Sequence, residues 1–210
     1  MGKETEVKFQ CAPQVVAELS RIHELTPLYR LSPPRFSEIH DTYFDTEDLL
    51  LLQSSASLRC RKKGSELKVT FKSNARVNGS SVTRDEIEQT VDEKIFQALL
   101  HKGKPASFVM PALRRLIGGR SLKPVLEVEN RRQIREIRRT ERALIAELSL
   151  DEVRFLRHGY GADFHGLEVE SKSTGTAEDL AQISQILHTY FPAIQVDHES
   201  KYEKGMRMLI

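Results

Sequence analysis

Residues 4–9 read Glu4-Thr5-Glu6-Val7-Lys8-Phe9, and this stretch decides the fold. Its charged residues alternate with Thr5, Val7 and Phe9. A period of two is the pattern of a β-strand, because successive side chains of a strand point to opposite faces. The predicted strand therefore has one charged face and one largely apolar face. A single strand of this kind usually turns its charged face to solvent and indicates little about function.

The same design recurs along the chain. Candidate strands at residues 57–61, 66–72, 82–88, 142–151 and 167–170 also set charged or polar side chains against apolar ones. The charges are sorted by strand, with acids at Glu168 and Glu170 and bases at Arg59, Arg61, Lys68 and Lys72. A solubilising surface usually mixes the two signs. Sorted strips instead predict two facing walls, of which one binds cations and the other binds anions.

Polyphosphate chemistry uses both walls together. Arg and Lys neutralise phosphate oxygens, and Arg does so bidentately. A hard divalent cation such as Mg²⁺ takes carboxylate and phosphate oxygens as joint ligands. The chain has neither a Walker A motif nor a GxGxxG motif, so phosphate must be bound by side chains rather than by a glycine-rich loop.

Several blocks in a fixed order make the pattern specific. After the ExExK of residues 4–8 come His40-Asp41-Thr42-Tyr43-Phe44-Asp45-Thr46, Leu58-Arg59-Cys60-Arg61, the LKxTxK of residues 67–72, the RxExE of residues 84–88, Glu168-Val169-Glu170 and a late Lys201. This order resembles the CYTH, or triphosphate tunnel metalloenzyme, superfamily, and is most like its bacterial inorganic triphosphatases. The resemblance implies an α+β fold in one domain, residues 1–210. That fold is a closed eight-stranded antiparallel β-barrel with a charged tunnel inside and helices packed on its outside.

The resemblance also implies roles for the charged positions. The metal, Mg²⁺ or Mn²⁺, would be held by Glu4, Glu6, Glu168 and Glu170, with Asp151 or Glu147 assisting. The triphosphate would be bound by Lys8, Arg59, Arg61, Lys68, Lys72, Arg84, Arg132 and Lys201, while Glu86 and Glu88 fall on the same faces. The predicted catalytic set is Glu6, Lys8, Arg59, Arg61 and Lys68.

One position departs from the family pattern. Asn130 stands where many members have Lys. Either the substrate has one basic contact fewer, or the neighbouring Arg131 compensates.

The implied reaction is metal-dependent hydrolysis of inorganic triphosphate to diphosphate and phosphate. A class IV adenylate cyclase and a thiamine triphosphatase stay open as alternatives, although the absence of Trp argues mildly against stacking on thiamine. A module that binds polyphosphate or nucleotides without turnover is a third alternative. Four tunnel carboxylates argue against it, because a pure anion receptor has little use for them.

The overall composition indicates which classes of partner to expect. The net charge is only +2, so a nucleic-acid partner is not expected. No apolar run approaches the length of a membrane span, and Cys11 and Cys60 form no ligand pattern. We expect a cytoplasmic protein with a small-molecule substrate, and a homodimer is left open.

The remaining elements follow from periodicity. Helical spacing predicts helices over residues 13–25, over residues 92–118 with an interruption near residues 103–105, and over residues 176–190. Residues 49–52 predict a turn or short helix. Residues 37–44 and 125–137 predict two more strands.

Overall fold

The computed structural model describes residues 2–102, 111–140 and 143–210, which fold around one antiparallel sheet. Its strands are β1 (Gly2–Gln10), β2 (Glu24–Thr26), β3 (Tyr29–Leu31), β4 (Arg35–Asp45), β5 (Ser57–Lys63), β6 (Glu66–Asn78), β7 (Ser81–Thr90), β8 (Lys123–Thr140), β9 (Ala143–Arg157), β10 (Tyr160–Ser171) and β11 (Gln195–Val196). The helices are α1 (Pro13–Leu19), α2 (Leu50–Gln53), α3 (Glu93–Lys102), α4 (Pro111–Ile117), α5 (Ala177–Tyr190) and α6 (Lys201–Leu209).

Eight of these strands close into a barrel. They follow the order β8, β4, β5, β6, β7, β1, β10 and β9, and β9 returns to β8. Closure depends on β8, which is 18 residues long and pairs with both β4 and β9. The predicted closed antiparallel barrel of eight strands with helices around it is confirmed. The short strands β2, β3 and β11, which extend the sheet beyond the barrel, were not predicted.

Strand register turns the charged faces inward. Glu6 lies opposite Glu170 across β1 and β10, and Lys8 lies opposite Glu168. Val7, on the other face of β1, is 1% exposed and belongs to an apolar core that includes the buried residues of α5. The main apolar cores therefore lie between the outer wall of the barrel and the helices. Covering the outer wall in this way keeps the charged face of each strand for the interior.

The helix predictions are partly right. The helix predicted over residues 13–25 is wrong beyond Leu19, and Leu25 lies in β2. Arg135, which is 1% exposed, donates to the carbonyls of Leu19 and Ile22. Its side chain therefore satisfies backbone groups at the C-terminal end of α1, which comes earlier than predicted.

The later helices agree better with the periodicity. The stretch 92–118 contains α3 and α4, and its predicted interruption near residues 103–105 lies outside the described residues. Helix α5 begins where predicted, because Thr176 accepts from the Asp179 backbone N–H in a capping box. Within the described ranges, no helix is both long and apolar enough to cross a membrane.

Helix α6 packs against one end of the barrel. The Tyr202 ring stacks on Tyr43 with centroids 5.3 Å apart, and its hydroxyl donates to Oδ2 of Asp45 at 2.7 Å. Gly205 faces the barrel so closely that a Cβ there would lie 2.6 Å from Cδ2 of Leu126. The glycine therefore sets how closely the helix approaches the barrel wall.

Candidate active site

A cavity of about 290 Å³ occupies the barrel interior, and its lining is dominated by charge. Among the residues that the structure describes, seven glutamates line it: Glu4, Glu6, Glu86, Glu88, Glu147, Glu168 and Glu170. Eight basic residues of the same ranges line it with them: Lys8, Arg59, Arg61, Lys63, Lys72, Arg84, Arg132 and Lys201. Alternation along the barrel strands explains this composition, since every second residue of each strand points inward.

The chain segment before α6 covers one end of the cavity. The carbonyl of His198 accepts from Nη2 of Arg84 at 3.2 Å, and the carbonyl of Glu199 accepts from the Lys8 ammonium. Ser200 and Lys201 then line the cavity directly. Two phosphate-binding candidates are thus tied to this closing segment, and a third, Lys201, is the first residue of the helix that follows it.

The two inward glutamates of β1 each have a basic partner. Glu4 pairs with the ammonium of Lys72, and Oε1 of Glu6 accepts from Nη1 of Arg84 at 3.0 Å. Lys8 Nζ lies 3.6 Å from the same oxygen of Glu6. Burial by itself would raise the pKa of Glu4, but the charge and hydrogen bond of Lys72 hold it below its usual value. Burial lowers the pKa of Lys8, and attraction to Glu6 only partly offsets this effect.

Four charged groups form a compact network next to β1, on β8, β9, β10 and the start of α6. Arg132 forks onto Asp151 with Nε at 2.6 Å and Nη2 at 2.7 Å, and it also binds Glu168. Lys201 Nζ lies 2.9 Å from Oδ2 of Asp151 and also pairs with Glu168. Burial opposes ionisation of Glu168, yet Lys201 and Arg132 hold its pKa well below the usual value. Glu168 therefore stays ionised inside the barrel.

Two glutamates are less fully neutralised. Glu147 lines the cavity, and its nearest basic group among the described residues, Nη2 of Arg35, lies 4.0 Å from its Oε2. Glu170 pairs with Lys172 at 2.7 Å, but burial raises the pKa of Glu170 and this pair only partly offsets it. Among the cavity glutamates, the ionised forms of Glu147 and Glu170 would therefore be stabilised most by an added cation.

Most predicted site residues lie together on the cavity wall, and two do not. Asp151 is fully buried behind the wall, and both its oxygens are engaged by Arg132, with Lys201 and Asn130 as further partners. Lys68 lies on the inward face of β6 but pairs with Glu66 and Glu88, and it does not line the cavity. Of the two assisting metal ligands that the sequence left open, Glu147 is the one on the wall.

Several lining residues were missed by the sequence analysis. Ser57, Lys63 and Thr70 continue the same alternation and could have been found from it, whereas Ser200 is brought in by α6. Asp41 lies in the block of residues 40–46 but was given no role, because its buried carboxylate pairs with the two arginines of β5, and those contacts do not show in the sequence.

The structure decides between the two readings of Asn130. Arg131 is exposed and lies opposite Glu38 and Glu152 on the outer face, so it does not compensate inside the barrel. Asn130 is 3% exposed and donates from Nδ2 to Oδ1 of Asp151 at 2.9 Å. The interior thus has a neutral side chain at this position.

The donor set fits a hard divalent cation, although the ligands are not gathered in advance. Within residues 2–102, 111–140 and 143–210, no group of three or more His, Cys, Asp or Glu side chains is arranged to hold a metal. Glu4, Glu6 and Glu168 are instead occupied by basic partners, as described above. Carboxylate oxygens are nevertheless the ligands that Mg²⁺ and Mn²⁺ prefer, and a bound phosphate would supply others.

Known proteins share this architecture. Several solved structures match nearly the whole chain, among them the following three. A candidate adenylyl cyclase from Hippeastrum, reported to have a dominant triphosphatase activity, gives a TM-score of 0.73 at 18% identity over 98% of this chain and 96% of its own. A candidate adenylate cyclase from Bacillus halodurans gives 0.67 at 24% identity, covering 97% and 98%. The PH1819 protein from Pyrococcus horikoshii gives 0.59 at 19% identity, covering 98% and 99%.

At these identities the likeness establishes the fold alone. No curated protein matches the chain. The family model of the CYTH domain, however, matches residues 2–205, and the closed barrel with its charged interior agrees with it. The chain therefore belongs to the CYTH domain family, whose members are typically triphosphatases or cyclases that use divalent metals.

Proposed function

We propose that this protein hydrolyses inorganic triphosphate to diphosphate and phosphate with the help of Mg²⁺ or Mn²⁺, and that residues 1–210 act as one domain. The observation that carries the proposal is the cavity itself, which gathers seven glutamates and eight basic residues inside one closed barrel. Charged residues that serve only solubility lie on the protein surface, whereas these line an interior cavity. Burying them costs free energy unless each is paired, and the pairs seen here would be exchanged for a charged substrate and its cation.

The lining favours a phosphate chain over a nucleoside. Of the described residues that line the cavity, Tyr43 is the one aromatic, and Ile39 and Ile134 are the apolar ones. Tyr43 is 4% exposed and already stacked on Tyr202, so its ring is not free to stack on a base. A substrate made only of phosphate needs no such surface.

The charge balance of the cavity supports a requirement for metal. Eight basic groups face seven carboxylates, so the lining is close to neutral before substrate enters. Asp41 and Asp151 add two buried carboxylates behind the wall, so the several negative charges of a triphosphate meet no excess of positive charge. Buried charge of one sign is costly, so a divalent cation must accompany the substrate.

The chain's own residues would bind and orient the substrate. Arg59 and Arg61 point into the cavity from β5, and Nε of Arg59 is buried without a hydrogen-bond partner in the described structure. Lys8, Arg84 and Lys201 would neutralise oxygens at the covered end. When a terminal P–O bond breaks after attack by water, the leaving diphosphate gains charge, and these cations stabilise it in place.

The ligands proposed for the metal are Glu4, Glu6, Glu168 and Glu170, with Glu147 nearby. A bound cation would supply positive charge to phosphate oxygens at this wall. The near-continuous ion pairing of these glutamates supports a site that is completed only when substrate and metal arrive together.

The direct test is release of phosphate and diphosphate from inorganic triphosphate, ATP and thiamine triphosphate, each with Mg²⁺, Mn²⁺ or chelator. Cyclic AMP is assayed in the ATP reactions. We expect fast metal-dependent cleavage of inorganic triphosphate and slow turnover of ATP. Cyclic AMP with diphosphate would assign a cyclase instead, and tight binding without turnover would leave a binding module.

A further inference from the structure

A buried carboxylate lies beside the two arginines of β5 and belongs to neither the proposed metal ligands nor the proposed phosphate ligands. Asp41 is 2% exposed on the inward face of β4. It lies directly opposite Arg61 in the sheet, while Arg59 lies opposite Tyr43 one inward position further along. The carboxylate therefore sits where it can reach both guanidinium groups.

Asp41 contacts only some of the nitrogen atoms of each guanidinium group. Arg61 donates from Nε to Oδ1 and from Nη2 to Oδ2 of Asp41, both at 2.7 Å. Nη1 of Arg59 lies 3.7 Å from the same Oδ2. A guanidinium has five N–H donors, so this fork leaves Arg61 with N–H groups for another acceptor.

Arg59 is anchored on its other side as well. Its Nη2 donates to Oγ1 of Thr70 at 3.4 Å, and Thr70 in turn donates to Glu88 at 3.2 Å. Nε of Arg59 is buried with no partner in the described part of the chain. An unpaired buried donor is costly to leave, and an anion in the cavity would satisfy it.

Two like charges on neighbouring inward positions would repel and would turn their side chains apart without a counter-charge. Burial works to raise the pKa of Asp41, but the charges of Arg59 and Arg61 hold it below its usual value, so the carboxylate stays ionised. A planar carboxylate fork also fixes the plane of the guanidinium it binds, which a point charge does not do.

We propose that Asp41 is a positioning residue, which holds the guanidinium groups of Arg59 and Arg61 with their free N–H groups directed at the substrate while touching no substrate itself. The proposal rests on the triphosphate reading of the cavity. It separates Asp41 from the glutamates that line the wall, because a residue of this kind acts only through the arginines.

The test is a double-mutant cycle on triphosphate binding. Asp41→Asn keeps the size of the side chain and removes its charge, and Arg61→Gln removes the fork partner. Dissociation constants for a non-hydrolysable triphosphate analogue are measured by calorimetry with Mg²⁺, well below the melting temperature, alongside KM and kcat for inorganic triphosphate with Mg²⁺. We expect Asp41→Asn to raise the dissociation constant and KM by roughly tenfold to a hundredfold, with a smaller change in kcat.

Coupling is the decisive outcome. In the Arg61→Gln background, Asp41→Asn should cost at least about fivefold less binding than it does in the native chain. Independent, multiplicative effects would overturn the proposal. If Asp41→Asn does not fold, Asp41→Glu, which keeps the charge, is paired with Arg61→Lys in the same cycle and read in the same way.

A matched control separates positioning from general stability. Asp179 is another buried carboxylate, 2% exposed and paired with Arg139, but it lies on α5 outside the barrel. Asp179→Asn should lower the melting temperature and leave triphosphate binding within about twofold. An equal loss of binding in this variant would mean that Asp41 acts only by stabilising the fold.

The outcomes also separate this proposal from the proposed function. A native chain that binds triphosphate but does not cleave it with any metal removes the hydrolase and leaves the Asp41 cycle intact. A native chain that cleaves triphosphate but shows no coupling between Asp41 and Arg61 removes only the positioning role.

Discussion

Replacing Glu6 by glutamine should lower both triphosphate turnover and the free energy of unfolding. The Glu6 side chain is 10% exposed, and its Oε1 lies 3.0 Å from Nη1 of Arg84 and 3.6 Å from Nζ of Lys8. Two buried cations therefore share one carboxylate. Glutamine keeps an acceptor for Arg84, but it removes the charge that both cations face.

The size of the effect follows from these contacts. Removing one partner of a buried ion pair costs about 3–5 kcal/mol, and the loss of a buried hydrogen-bond partner costs about 1–3 kcal/mol. Because the glutamine amide still accepts from Arg84, we expect the smaller cost, about 1–3 kcal/mol. For a chain of this length, that cost corresponds to a fall in melting temperature of about 2–12 °C.

Thermal unfolding followed by circular dichroism measures the stability of the variant, and phosphate release at saturating metal measures its turnover. Glu18→Gln on the exposed face of α1 is the control and should change stability by no more than about 0.5 kcal/mol. A raised melting temperature for Glu6→Gln, as relief of repulsion among the cavity glutamates would produce, would refute the pairing. Unchanged turnover in the folded variant would refute the role of Glu6 in the site.

Three further predictions concern pH, packing and the two inward lysines of β6. The pKa of Glu168 is held well below its unfolded value, so the stability that its charge contributes is present above about pH 4.3 and is lost as pH falls through the folded pKa. Thermal melts between about pH 7 and about pH 3 should therefore show a smaller fall in melting temperature for Glu168→Gln than for the native chain. Gly205→Ala places a Cβ 2.6 Å from Leu126, so it should cost about 1–3 kcal/mol and raise KM by shifting α6, measured by melts and kinetics. Lys72→Met should lower kcat/KM far more than Lys68→Met, because only Lys72 lines the cavity, and equal losses would contradict this placement.

Local periodicity was enough to find most of the barrel. In β1, the alternation of residues 4–9 indicates both the strand and its two faces, because a strand side chain points to one face or the other according to whether its position is odd or even. The same reasoning identified the inward residues of β5, β6, β7 and β10, and hence most of the cavity lining. The order of the motifs then pointed to the family.

Tertiary structure decided what depends on contacts between distant residues. Pairing of β8 with β9 closes the barrel, and only closure decides that the charged faces meet inside. It also places Asp151 behind the wall, bound by Arg132 and Lys201, which are 19 and 50 residues away along the chain. Parity cannot distinguish such a residue from one that faces the cavity.

The ends of the elements were decided in the same way. Helical spacing continues through Leu25, but the strand β2 and the buried Arg135 end α1 at Leu19. The side chain of Arg135 comes from a strand more than a hundred residues later. Sequence alone therefore determined where most of the barrel strands lie and which face of each is charged, because those properties are local. The closed end of the cavity, the partners of each charge and the role we propose for Asp41 depend on long-range packing, which no local pattern records.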